Sequence, residues 1–156
     1  MRLVVIAVGE RLPDWADAAF SDYARRMPRG QRIELVAVRS EPRRETRTVA
    51  QTVAAEAARI QAAIPSGALR IALDEHGKDL DTEALSAALG RWTASGRDCA
   101  FLIGGPDGLA PELIESAAFV LRLSSLTLPH ALARVILAEA LYRAVSLLHH
   151  HPYHRS

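Results

Sequence analysis

The stretch Cys99-Ala100-Phe101-Leu102-Ile103-Gly104-Gly105-Pro106-Asp107-Gly108 constrains the fold more than any other. Five apolar residues read as a strand buried on both faces, and the run then breaks into glycines and a proline. Strands of that kind belong to sheets covered on both sides. Ligands of such open α/β sheets sit beyond the carboxyl ends of the strands. Glycine permits positive φ and lets a backbone come within contact of a ligand, where a Cβ would obstruct. The bland alternative is a tight turn between strand and helix. The loop is neither familiar phosphate loop, since no Lys-Ser/Thr follows the glycines and the GxGxxG spacing is absent.

The chain around it alternates strand and helix. Arg2 to Val8 reads as a buried strand ended by Gly9, and Pro13-Asp14 open a helix with a stripe of Trp15, Ala19, Tyr23 and Met27. Pro28 and Gly30 stop that helix, and Arg32 to Val38 makes a second strand. Val49 to Ile64 is an alanine-rich helix, Leu69 to Leu73 a third strand, and Asp74-Glu75-His76-Gly77-Lys78 a polar loop. Thr82 to Ser95 is helical, Cys99 to Ile103 is the fourth strand, and Pro111 starts a short helix. Ala118 to Leu123 is the fifth strand, and the loop Ser124 to His130 runs into the longest helix, Pro129 to about His149. The alternation predicts an α/β fold, a mostly parallel sheet with helices on both faces. A length of 156 residues suits one domain spanning 1–156.

Composition narrows the function. No apolar run approaches the ~18–20 residues that cross a bilayer, and the first ten residues are too soon charged for a secretory signal. Cys99 is the only cysteine, which excludes an internal disulfide and, with its apolar neighbours, predicts an inert buried thiol in a cytoplasmic protein. The net charge of +1 hides an uneven distribution, with Lys78 the sole lysine. Arg25, Arg26, Arg29, Arg32, Arg39, Arg43, Arg44 and Arg47 face only Glu34, Glu41 and Glu45 in the same stretch. Arginine forks suit phosphate, so this segment reads as a nucleic-acid surface, against the alternative of a solvated arginine-rich face.

The last helix carries Leu132, Val135, Ile136, Leu141, Val145 and Leu148, an apolar face broad enough for core packing or a subunit interface. Glu139 and Arg143 stand four apart and can pair on its surface, for about 0.3–0.5 kcal/mol. The chain closes on His149-His150-His151-Pro152-Tyr153-His154-Arg155-Ser156. Adjacent side chains on a helix end diverge, and no acidic or cysteine partner is near. The histidines therefore fit a metal less well than the whole tail fits a base or phosphate.

Several blocks in order resemble one family. They are Val8-Gly9, Pro13-Asp14-Trp15, Tyr23-Ala24-Arg25-Arg26, Leu102 to Gly108, Leu123 to His130, Arg134-Val135 to Ala144, and His151-Pro152-Tyr153-His154-Arg155. Together they resemble the ribosomal large subunit RNA methyltransferase H family over nearly the whole chain, with little match from Arg39 to Gly67. The resemblance implies a SPOUT-type fold with a C-terminal trefoil knot, a rare exception to unknotted topology. It implies S-adenosyl-L-methionine bound by Leu73, Gly104, Gly105, Leu123, Ser124, Ser125, Leu126, Thr127 and Leu128. It implies a homodimer whose active site lies between one subunit's knot and its partner. The implied substrate is a pseudouridine in helix 69 of 23S rRNA, methylated at N3 on the assembled ribosome, with neither metal nor membrane involved. Tyr153, His154 and Arg155 are the catalytic candidates, with His154 the proton acceptor because histidine titrates near pH 6.5. Competing expectations are another RNA, such as a transfer RNA, or a non-catalytic RNA-binding factor that uses only the arginine loop.

Overall fold

The computed structural model describes residues 1–155; the side chains of His154 and Arg155, and Ser156 altogether, lie outside the described set. Five strands, β1 (Arg2–Val8), β2 (Arg32–Val38), β3 (Leu69–Asp79), β4 (Cys99–Ile103) and β5 (Phe119–Arg122), form one sheet. Their order is β2-β1-β4-β3-β5, and every pair is parallel. Helices α1 (Asp14–Arg26), α2 (Val49–Ala63), α3 (Thr82–Thr93), α4 (Pro111–Ser116) and α5 (His130–Leu148) connect them, and a 3-10 turn spans Pro152–Arg155.

The period of two along each central strand sorts side chains to two cores. Leu3, Val5 and Ala7 of β1 join Cys99, Phe101 and Ile103 of β4 beneath α1, α3 and α5. Val4, Ile6 and Val8 join Ala100 and Leu102 on the other face, with Ile60 of α2 and Leu113 of α4. Burial on both faces explains why β1 and β4 read as unbroken apolar runs. Helix starts follow local chemistry. Thr48 and Gln51 form a reciprocal capping box at α2, and the Asp81 carboxylate accepts the Ala84 N–H at 2.8 Å at α3. The N-terminal edge of the sheet is pinned where the Arg2 backbone N–H and guanidinium both donate to Asp98, at 2.8 and 2.9 Å.

Two expectations need correction. The polar segment Asp74–Lys78 is not a loop: β3 continues through it to Asp79, with a register shift between Leu73 and Lys78. The strand rejoins β5 because Gly77 lies so close that a Cβ there would sit 2.6 Å from the Leu121 carbonyl carbon. The α1 stripe also fails at its start. Trp15 is exposed, and Ala16 and Phe20 are the buried residues. Four residues overshoot one helical turn by about 40°, so a strict four-residue row rotates off the core face within three steps. In α5 the buried seam is Leu137, Ala138, Leu141, Tyr142, Ala144 and Val145, whereas Leu132, Val135 and Ile136 are only half-buried.

Candidate functional site

A pocket of about 770 Å³ opens beside Leu73–His76 of β3 and beyond the carboxyl ends of β4 and β5. Leu73, Gly104, Gly105, Leu123, Ser124, Ser125, Leu126, Thr127 and Leu128 all line it. β4 ends at Ile103, and the chain then turns so tightly that the Gly108 N–H donates to the Gly105 carbonyl at 2.9 Å. A Cβ on Gly104 would lie 2.6 Å from the Gly108 oxygen and 2.7 Å from the Leu109 nitrogen. Both are backbone atoms with no side chain to swing aside, so the turn admits only glycine there. Across the pocket, the Leu126 N–H donates to the Ser124 hydroxyl at 2.9 Å and holds the 123–128 loop folded. Leu126 itself is 75% exposed.

The pocket has members that sequence reasoning did not select: Asp74, Glu75 and His76, the turn residues Pro106 and Asp107, and Arg122, His130 and Ala133. Asp74 accepts the His76 backbone N–H at 2.9 Å. The signal was present, because Asp74 follows the end of the regular β3 pairing much as Gly104 follows β4; reading the segment as a solvated loop concealed it. Arg122 pairs with Asp79 through Nε at 2.7 Å, which holds the carboxyl below the usual carboxylate range.

The tail is held elsewhere. Tyr153 rests on α5, its ring 4.5 Å from Tyr142 and its hydroxyl donating to Glu139 Oε1 at 3.2 Å. The Glu139–Arg143 pair forms as the spacing predicts, with Arg143 Nε donating to Oε1 at 2.8 Å, and the Arg143 guanidinium lies over the Tyr153 ring. Burial, with Tyr23 and Glu139 beside it, pushes the Tyr153 hydroxyl well above its ordinary pKa. Tyr153 does not line the pocket. Ala133, which does, is nine residues before Tyr142, about 13 Å along the helix. The expected roles of His154 and Arg155 rest on side chains outside the described residues.

The arginine segment is largely paired. Arg26 meets Asp22 at 2.9 Å, Arg43 meets Asp107 at 2.9 Å, and Arg47 meets Glu41 at 2.6 Å. Arg29, Arg39 and Arg44 form no ion pair among the described residues.

A parallel sheet with a small-molecule-sized pocket beyond its strand ends, walled by a glycine turn, is the architecture of an α/β enzyme. Its fold matches a solved "probable methylase family protein" from Haemophilus influenzae Rd KW20, with a TM-score of 0.53 and 16% identity over 97% of this chain and 69% of that one. Residues 1–154 match the profile of a family described as "Predicted SPOUT methyltransferase". The chain is 56% identical over its full 156 residues to "Ribosomal RNA large subunit methyltransferase H" of Bordetella avium (strain 197N), also covered in full. It is 54% identical to the protein so named in Ralstonia pickettii (strain 12J), over 99% of each chain. The chain belongs to the SPOUT methyltransferase family, and it is a methyltransferase. Among the described residues no helix is long and apolar enough to cross a membrane, and no group of three or more His, Cys, Asp or Glu could hold a metal.

Proposed function

We propose that this chain, as one domain over 1–156, transfers a methyl group from S-adenosyl-L-methionine to N3 of a pseudouridine in helix 69 of 23S rRNA. It does so as a cytoplasmic homodimer acting on the assembled ribosome. The carrying observation is the convergence of nine residues, from within β3 and from beyond the ends of β4 and β5, on one pocket beside a turn that excludes any Cβ. The pocket suits the cofactor. Leu73, Leu123 and Leu128 offer apolar walls for an adenine, the 123–128 backbone offers donors and acceptors to its edge, and the Asp74 carboxylate suits a cationic ligand. Bound there, the cofactor supplies a methyl group already activated on a sulfonium.

What remains for the protein is to exclude water, orient the ring and manage the N3 proton. His154 is the assigned proton acceptor, Arg155 stabilises the developing anion, and Tyr153 positions the base. The Tyr153 anchorage on Glu139, Tyr142 and Arg143 lies about nine residues along α5 from the pocket wall. That separation supports a tail that serves the partner's pocket. The exposed Trp15 and Leu126 and the half-buried Leu132, Val135 and Ile136 supply apolar surface for the second subunit. The knot implied by the resemblance belongs to the segment from β4 to α5 that builds the pocket.

The test is incubation with S-adenosyl-L-methionine and intact ribosomes lacking the modification, followed by digestion of the rRNA to nucleosides. Appearance of N3-methylpseudouridine supports the reading; its absence, with cofactor bound, overturns the substrate assignment.

A further inference from the structure

A second cleft, of about 530 Å³, adjoins the first, and its lining includes Val8, Gly9, Arg11, Glu56, His130 and Arg134. The two share Pro106, Asp107 and His130 as a common wall. The second cleft lies beyond the ends of β1, β2 and β4, where strand order reverses between β1 and β4, the usual position of a ligand crevice.

Two independent features of this cleft favour an anion. The first is Arg134, which is 2% exposed. Its Nη2 donates to the Val8 and Gly9 carbonyls at 2.8 Å each, but Nε and Nη1 are shut off from water and have no hydrogen-bond partner. Burial pushes its pKa down, with no carboxylate to offset the loss. A guanidinium buried without a counter-ion is costly, and in so water-poor a setting its charge is felt in the cleft with little screening. The second feature is the start of α5, where His130 and Ala131 both line the cleft. No side chain caps this helix, and its first turn holds no acidic residue. The His130 and Ala131 backbone N–H groups meet no acceptor among the described residues. Free N–H groups at the positive end of a helix dipole are a ready site for an oxyanion. Arg134 stands four residues after His130, one turn along the same face, so both features act on one place.

The other charges at the cleft are largely spoken for. Asp107 is matched by Arg43, and Glu41 by Arg47 and Arg59. Glu56, 4% exposed, accepts the Glu41 backbone N–H on Oε2 at 3.1 Å and is the one lining carboxylate without an ion pair among the described residues. Against it stand two unpaired cations, Arg134 beneath the cleft and Arg11 at its exposed mouth. The balance is cationic, which suits an oxyanion.

We propose that the second cleft is a phosphodiester subsite for the RNA strand that carries the target, in which the α5 N–H groups and the Arg11 guanidinium hold the phosphate and Arg134 supplies charge from beneath. This deepens the rRNA methyltransferase reading and rests on it. A nucleotide with its phosphate in this cleft lies across the shared wall, so its ring reaches over the first pocket with N3 turned toward the cofactor. The subsite sets the register of the strand and leaves the N3 proton to the tail.

The test reads binding rather than turnover. The full-length protein, ¹⁵N-labelled and saturated with S-adenosyl-L-methionine, is titrated with the dinucleotide uridylyl-(3′→5′)-uridine, with uridine and with inorganic phosphate. The dinucleotide should give saturable shifts at the Gly9, His130 and Ala131 amides and at the Arg134 Nε–H, and uridine should give none at these positions. The Nε–H signal reports on Arg134 without a substitution that would release the end of β1. Arg11→Gln, at an exposed position, should weaken the dinucleotide about 10-fold, as loss of a hydrogen bond to a charged group predicts, and leave cofactor affinity unchanged. No shifts at these groups, the same shifts with uridine, or full dinucleotide affinity in Arg11→Gln would each overturn the assignment. So would shifts with inorganic phosphate but not with the dinucleotide, which would mean an adventitious ion only. Dinucleotide shifts as expected, with no methyl transfer to ribosomes, would count against the substrate reading above and leave the subsite standing.

Discussion

The sharpest perturbation of the first pocket is Gly104→Ala. A methyl there would sit 2.6 Å from the Gly108 oxygen and 2.7 Å from the Leu109 nitrogen, about 0.8 Å short of ordinary contact. The Gly104 backbone lies outside the left-handed region, so the cost is steric alone. Relief requires the 108–109 backbone to move away from the turn that walls the pocket. Inserting one carbon into packed structure costs about 1–3 kcal/mol. If that strain falls on the binding-competent turn, cofactor affinity drops about 5–150-fold. Isothermal titration with S-adenosyl-L-methionine reads the affinity, and circular dichroism confirms that the variant folds. Gly105→Ala is the graded comparison, because its Cβ meets the Glu56 side chain at 3.0 Å rather than backbone. A folded Gly104→Ala protein that binds cofactor within twofold of wild type would refute the reasoning.

The remaining predictions concern the tail, the thiol and the sheet edge. Mixing Gly104→Ala subunits with subunits lacking residues 152–156 should restore about a quarter of wild-type methyl transfer, because random pairing of a homodimer leaves one complete site in each mixed dimer; no recovery would place tail and pocket in the same subunit. Burial pushes the Cys99 thiol up to about 11, so it should stay unlabelled by a thiol reagent at pH 8 in the native protein and react once the chain is denatured; rapid native labelling would contradict its burial. The Arg2 backbone N–H, then the Arg2 guanidinium, hold the Asp98 carboxyl below its usual range. A depressed carboxylate stabilises the fold above its unfolded value of about 3.9 and stops doing so as pH falls through the folded value. Asp98→Asn should therefore be less stable than wild type at pH 7, with the gap closing below about pH 4; a gap that does not change with pH would exclude ionic stabilisation.

The parallel sheet was legible because β1 and β4 are buried on both faces and announce it as continuous apolar runs. Glycine and proline marked most of the boundaries. β3 was less legible beyond Leu73, because its last residues pair through a bulge and stay wet, so their polarity disguised a strand. The same disguise removed Asp74, Glu75 and His76 from the expected pocket. Trp15 misled because a large aromatic on a plausible stripe reads as core, and only the accumulated helical rotation shows that it leaves the core face. Glu56 was invisible for a different reason. Within an alanine-rich helix nothing marks one carboxylate as buried; that follows from where α2 lies against the glycine turn, forty-nine residues away in sequence from Gly105. The arginine segment looked like a basic surface, yet Glu41 within it and carboxylates brought in from Asp22 and Asp107 pair much of it.

The most direct measurement of the central claim is transfer of radiolabelled methyl from S-adenosyl-L-methionine, offered in parallel to intact ribosomes lacking the modification, free 23S rRNA and transfer RNA. The account predicts label in the 23S rRNA of intact ribosomes, reduced at least about 5-fold by Gly104→Ala when the cofactor is held below its wild-type Kd. Label confined to transfer RNA, or undiminished labelling by the folded Gly104→Ala protein, would contradict it.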